Sequence, residues 1–175
     1  MWHSKQLKYK FLIVISLVII NIKTFAQHDS VTAPVNYFYL EVGGAGGYGS
    51  FNYQRAIFSE NHLIFALGIG LSTYHLKDYL NKINPDIIVP FSVKIFYGTN
   101  HKIELGAGET YSSIVMADPT EYTPKRKKNV HSFFSIGYQF NKTAGGILFR
   151  VAYTPIIEFN AYYRHWACIA LGFSF

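Results

Sequence analysis

The 175-residue chain contains a single cysteine, Cys168. With no second thiol, neither an intramolecular disulfide nor a thiolate metal cluster can form. Cys168 also lies far from the amino-terminal leader, so it is not a lipid-anchor cysteine. Long hydrophobic runs are equally scarce. After the first 26 residues no segment has the roughly 20 continuous apolar residues that a membrane-spanning helix needs. Any later crossing of a bilayer must be made by strands, because only helices and closed barrels satisfy their own backbone in lipid. Charge of one sign is scarcer than the formal total of +6 suggests. Four of the 16 basic residues, Lys5, Lys8, Lys10 and Lys23, fall in the leader, which has no acids, leaving 12 basic residues against 10 acidic ones. An excess of two is not the electrostatic footprint of a nucleic-acid-binding protein.

What the chain does have begins with that leader. Met1 to Lys10 carries three lysines, Phe11 to Ile20 is an apolar run broken only by Ser16, and Thr24-Phe25-Ala26 ends on a small residue before Gln27. These are the three regions of a secretory signal peptide, whose core of about ten residues is too short to remain as a membrane anchor. The expected organisation is a cleaved signal peptide over 1–26, a short periplasmic segment over 27–34 and one domain over 35–175. Half of the residues are hydrophobic and 18% are aromatic, with 14 Tyr, 15 Phe and 14 Gly. That balance favours pleated surfaces over helices and predicts an all-β domain.

From Val35 the chain divides into alternating segments of about ten residues, the length of a tilted transmembrane strand. They are Val35 to Gly44, Gly47 to Phe58, His62 to His75, Asp86 to Gly98, His101 to Val115, His131 to Asn141, Gly145 to Pro155 and Arg164 to Phe175. This even set predicts an eight-stranded antiparallel up-and-down transmembrane β-barrel. The connections Ser59 to Asn61, Thr99-Asn100 and Lys142 to Ala144 are short and turn-like. Leu76 to Pro85, Met116 to Val130 and Ile156 to Tyr163 are longer, although the first connection on that side is only Ala45-Gly46. Short periplasmic turns opposite longer outer loops are the asymmetry of outer-membrane barrels.

The period of two assigns faces. Phe38, Leu40 and Val42 share one face of their strand, as do Ile147, Phe149, Val151 and Tyr153, and as do Ile169, Leu171, Phe173 and Phe175. Glycines such as Gly43, Gly70, Gly106 and Gly137 fall on the opposite face, together with Glu41, Asn52, Gln54, Lys94, Glu104 and Arg150. A charge on the lipid face at mid-bilayer costs about 2–4 kcal/mol, so the polar face is the lumen and these six residues form a polar network that fills it. Lys94 and Glu104 are placed to pair, and Glu41 and Arg150 are separated only by the last strand. A narrow barrel so filled is not an open pore. Three residues resist the pattern. Glu109 and Arg55 fall on the lipid face near its two borders, and Pro90 predicts a bulge in the fourth strand. Aromatics gather at both rims, although strict alternation turns Phe58 and Tyr74 inward.

Leu40-Glu41-Val42-Gly43-Gly44, Glu104 to Gly108, Gly145 to Pro155, the Phe25-Ala26-Gln27 region and the closing Leu171-Gly172-Phe173-Ser174-Phe175 resemble the small outer-membrane β-barrel proteins common in Bacteroidota. These are similar in architecture to the OmpA and OmpX barrels. The resemblance implies an outer-membrane location, contact with outer-membrane lipid, and recognition of Leu171, Phe173 and Phe175 by the barrel-assembly machinery. The reading of the chain as a whole is a monomer with a structural or surface-interaction role, without enzyme activity, cofactor or metal. A lipid-modifying enzyme would need Ser, His and an acid together on the outer rim. His75 and His165 point outward by alternation and His131 inward, so they do not converge. A secreted lipocalin-like ligand binder is the remaining alternative, and it requires the apolar face inside. Lys125-Arg126-Lys127-Lys128 forms a basic run in the longest loop, beside Asp118 and Glu121. It is a possible surface contact for anionic sugars and phosphates. Asn141-Lys-Thr143 matches a glycosylation acceptor but falls at a periplasmic turn.

Overall fold

The computed structural model describes residues 36–117, 123–157 and 163–175. The expected signal peptide and 27–34 segment, and Asp118, Glu121 and Tyr162, lie outside the described residues. The strands are β1 (Asn36–Gly43), β2 (Gly49–Glu60), β3 (Leu63–Ser72), β4 (Ile87–Gly98), β5 (His101–Ala117), β6 (Pro124–Asn141), β7 (Gly146–Tyr153), β8 (Ile156–Ile157), β9 (Tyr163–Arg164) and β10 (Ala167–Ser174). They pair antiparallel in chain order, and β10 returns to β1 through Phe38↔Phe173 and Leu40↔Leu171, so the sheet closes. β7 with β8, and β9 with β10, are single strands interrupted at Thr154-Pro155 and His165-Trp166. The ladder continues across these breaks: Thr154 N–H donates to the Trp166 carbonyl at 2.7 Å and Phe134 N–H to the Pro155 carbonyl at 3.1 Å. Counted so, the barrel has eight strands.

Alternation sorts the side chains as the sequence predicts, with the apolar face outside. Leu40 is 64% exposed, Leu171 60% and Ile147 71%, whereas Lys94 is 3%, Arg150 2% and Glu104 0% exposed. A lipocalin-like barrel requires the reverse distribution.

Several local expectations are corrected. The β2–β3 turn is Asn61-His62, both at positive φ (45° and 71°), between paired Glu60 and Leu63. Positive φ at both central residues is what a tight two-residue hairpin needs. Before it, Ile57 is an extra residue between the pairs Ala56↔Ala66 and Phe58↔Phe65. This bulge reverses the alternation that turned Phe58 inward. Phe58 instead packs edge-on to outward-facing Phe65, ring centroids 5.9 Å apart.

No bulge forms at Pro90. β4 keeps one register with β5 from Ile87↔Ser113 to Gly98↔Lys102, and one register with β3 on either side of the proline, at Ile69↔Phe91 and Ser72↔Ile88. The ladder omits rungs instead of shifting, and Gly70 opposite makes the space, since a Cβ there would lie 2.8 Å from Pro90 Cγ. The register also runs unbroken through Glu109, which stays exposed between Phe91 and Ser132. Arg55 is exposed between Asn36 and Leu67.

The expected loop Met116 to Val130 is largely strand. β5 and β6 stay paired through Met116↔Lys125 to Ala117↔Pro124, which puts Lys125 to Lys128 on β6. Beyond the barrel both faces of a hairpin meet water, so no apolar alternation marks it as a strand in the sequence.

The first connection folds inward. Gly44–Gly46 form one buried 3₁₀ turn flanked by Gly43 (φ 79°, ψ −163°) and Gly47 (φ 82°, ψ −130°). The Gly43 conformation is essentially restricted to glycine. Ala45 packs with Phe133 and Ile156, with Trp166 against them, and its carbonyl accepts from Thr110 Oγ1 at 3.1 Å. Gly44 also has positive φ (+75°), and a Cβ there would meet the Glu41 carboxylate. Gly44→Ala is therefore expected to cost about 1–3 kcal/mol, read as a lowered urea midpoint for the refolded barrel in vesicles. Gly49→Ala, whose Cβ would have nothing nearer than 3.8 Å, is expected to leave that midpoint unchanged.

Candidate functional site

The inward faces of β1, β4, β5 and β7 bring Glu41, Lys94, Glu104 and Arg150 together in the lumen. Arg150 is the hub. Its Nε donates to Glu104 Oε2 at 2.5 Å and its Nη2 to Glu104 Oε1 at 2.6 Å, a bidentate pair reaching past the intervening β6. Its Nη1 donates to the Glu41 carboxylate and to Cys168 Sγ at 3.0 Å. Glu104 also accepts from Ser135 Oγ at 2.8 Å. Lys94 Nζ donates to the Tyr39 hydroxyl at 2.9 Å and lies 3.9 Å from Glu104 Oε1. Two carboxylates thus face two cations. The expected Lys94–Glu104 pair exists but is long, because Arg150 takes the better lone pairs. Glu41 and Arg150 meet across β10, as their spacing predicts.

The other two expected members stand apart from this network. Asn52 Nδ2 bonds locally to Ser50, to its Oγ at 2.8 Å and its carbonyl at 3.3 Å. Gln54 is fully buried, and neither atom of its amide has a hydrogen-bond partner among the described residues. A second polar group, missed from sequence, lies towards the short turns. There Lys102 Nζ donates to Asn141 Oδ1 at 2.7 Å, and Gln139 Nε2 donates to the same oxygen at 3.0 Å. Tyr39, Ser135 and Cys168 were missed too. Their signal was present, since Ser135 and Gln139 share the parity of inward Gly137, and Lys102 that of Glu104.

The lumen is not uniformly polar. Tyr37, Tyr39, Leu148 and Ala170 form one apolar cluster and Ile64, Ala66 and Phe96 another, with Ala56 packed on both. The Ala45, Phe133 and Ile156 cluster lies at the opposite end. Between them remains a cavity of about 20 Å³ beside Glu41, Lys94 and Arg150, room for a single water molecule.

At the loop-side rim the histidines have separate surroundings. His75 Nδ1 is 3.0 Å from Asp86 Oδ2, while Asp86 Oδ1 accepts the Val115 N–H at 2.8 Å. Arg126 donates to the Pro85 carbonyl at 3.1 Å, to Ser113 Oγ at 3.3 Å and to Asn84. Asp86 and Arg126 thus clasp the β3–β4 connection to the β5–β6 hairpin. His165 contacts the Tyr153 hydroxyl on the outer wall, and half-buried His131 stands opposite Thr110. Tyr74 packs on Tyr48 with ring centroids 5.3 Å apart; burial, reinforced by Tyr48, raises its hydroxyl pKa above the usual value. Among the described residues no three His, Cys, Asp or Glu side chains assemble as a metal-ligand set. On β10, Leu171 and Phe173 project outward. Phe175 exchanges backbone hydrogen bonds of 2.9 and 3.0 Å with Asn36, and its ring centroid lies 5.9 Å from that of Phe38.

Removing Arg150 would leave two buried carboxylates with one distant cation. Breaking a buried ion network by deleting one partner costs about 3–5 kcal/mol, more than replacing the network with apolar groups. Arg150→Ala is expected to lower the unfolding free energy of the refolded barrel by that amount. Combining Arg150→Met with Glu104→Gln is expected to cost less than the two single changes summed, measured by urea titration in vesicles.

No protein-family model and no curated protein matches the chain. Solved structures do. The N-terminal β-barrel domain of Pseudomonas aeruginosa OprF superposes with a TM-score of 0.56 at 12% identity, covering 84% of this chain and 100% of that one. Ail, the attachment invasion locus protein of Yersinia pestis, superposes with a TM-score of 0.52 at 8% identity, covering 81% of this chain and 95% of that one. At such identities the likeness is one of fold, and the fold is the closed eight-stranded antiparallel barrel of outer-membrane proteins.

Proposed function

We propose that this chain is an integral outer-membrane protein of a bacterial envelope, of the kind common in Bacteroidota. In this reading it is a monomer with a structural or surface-interaction role and a lumen that does not conduct. The observation that carries it is the inversion of burial. Leu40, Val42, Leu71, Ile147 and Leu171 are all at least 60% exposed on the outer wall, while Glu104, Arg150, Lys94 and Lys102 are at most 3% exposed. In water that arrangement forfeits the burial of nearly every large apolar side chain of the barrel wall; in lipid it forfeits none.

The remaining features fit the same role. Cleavage after Ala26 would release the chain to the periplasm, and Leu171, Phe173 and Phe175 would present the closing strand to the assembly machinery. The inward 3₁₀ turn and the apolar clusters at both ends of the charge network support a plugged lumen. The scattered rim histidines support a non-catalytic role, and the basic run Lys125 to Lys128 offers a contact for anionic groups outside.

Electrophoresis of the membrane-fraction protein, boiled and unboiled, tests the reading. A heat-dependent mobility shift is expected, with the protein retained in the outer-membrane fraction and no step conductance in planar bilayers. A soluble protein without a shift overturns the location. Stable open-channel steps overturn the closed lumen.

A further inference from the structure

The basic run of β6 is divided between two faces by the register. Tyr111↔Val130, Ser113↔Lys128 and Val115↔Arg126 lie on the face continuous with the lipid wall, whereas Lys127 opposite Ile114 and Lys125 opposite Met116 lie on the other. Directly below Lys128 on that wall is the apolar row of Tyr111 and Val130, with Val130 46% exposed; the exposed pair Glu109 and Ser132 separates it from Phe134, 51% exposed. Two residues of strand are about 7 Å, so Lys128 stands above the last apolar row by about the depth of a headgroup layer. Glu109 on the same wall lies on the far side of the Tyr111–Val130 pair. Arg126 is committed to Ser113, Asn84 and Pro85. Lys128 is exposed, and its ammonium group makes no hydrogen bond or ion pair among the described residues. The Lys77–Ile83 bridge continues the β3–β4 pairing beyond those strands, and Ile83 there is 85% exposed.

We propose that this outer wall of the β5–β6 hairpin, with Lys128 as its cation, binds the anionic, phosphate-bearing headgroups of the leaflet around the barrel. The inference rests on the outer-membrane reading above. A cation directly above an apolar row matches a ligand whose phosphate is fixed above acyl chains. The opposite face, carrying Lys125 and Lys127, has no such row beneath it.

The test is native mass spectrometry of the full mature chain, refolded in detergent and titrated with bisphosphorylated lipid A or with phosphatidylcholine. Wild type is compared with Lys128→Glu and Lys127→Glu. Each charge unit at an anionic surface is worth about a factor of five, so reversal at Lys128 is expected to weaken lipid A binding roughly thirtyfold. Lys127→Glu, the same charge change on the other face, is expected to alter it by less than about twofold. Equal weakening by both variants overturns the proposal as non-specific attraction, and no weakening by Lys128→Glu overturns it outright. Displacement of lipid A by millimolar inorganic phosphate overturns the lipid as the source of the phosphate. Heat-modifiable mobility of every variant reports folding independently. Wild type that shifts on boiling but does not prefer lipid A refutes this inference alone, whereas wild type that does not shift refutes the outer-membrane reading beneath it.

Discussion

Closure of the sheet is the constraint on which everything else in this molecule depends. An open sheet leaves two edges of unpaired backbone, and pairing β1 with β10 removes both. Once closed, the pleat gives each strand one residue outside and one inside, and a barrel this narrow has space within only for side chains. A charge therefore turns into the lumen or lies near a rim. Glu41, Lys94, Glu104 and Arg150 take the first course, and Arg55 and Glu109 the second.

The lumen then has to satisfy what it has taken in. Desolvating four charges is costly, and their attraction offsets that cost only when geometry and hydrogen bonding are complete. Arg150 meets the condition with its planar fork, two of whose nitrogens fit one carboxylate while a third reaches the other. Tyr39 and Ser135 occupy donors and acceptors that the ions leave over. Glycine in the first connection permits the buried 3₁₀ turn to lie beside Glu41, and aromatic and aliphatic side chains cluster towards the other end.

How much of this was legible in the sequence follows from the range of each interaction. The period of two is local, so it was enough to separate Leu40 from Glu41 and Phe149 from Arg150, and to place four charges in one lumen. Arg150 reaching Glu104 past β6 depends on the stagger of strands around the barrel, which no single segment encodes. The Ile57 bulge is a property of the β2–β3 ladder, and it reversed Phe58 without any glycine or proline to announce it. Pro90 announced a bulge that Gly70, on the facing strand, made unnecessary. The β5–β6 hairpin went unread because water on both faces leaves Lys125 to Lys128 with no alternation to detect.

Spin-label accessibility most directly tests the account that apolar side chains face lipid and charged ones fill the interior. Single cysteines at Leu40, Phe149 and Leu148, in a Cys168→Ala background, would be labelled in the barrel reconstituted in vesicles. Labels at positions 40 and 149 should collide freely with oxygen and scarcely with a water-soluble nickel chelate, and the label at the buried position 148 should collide little with either. Strong collision with the nickel chelate at positions 40 and 149 would put the apolar wall in water and contradict the account.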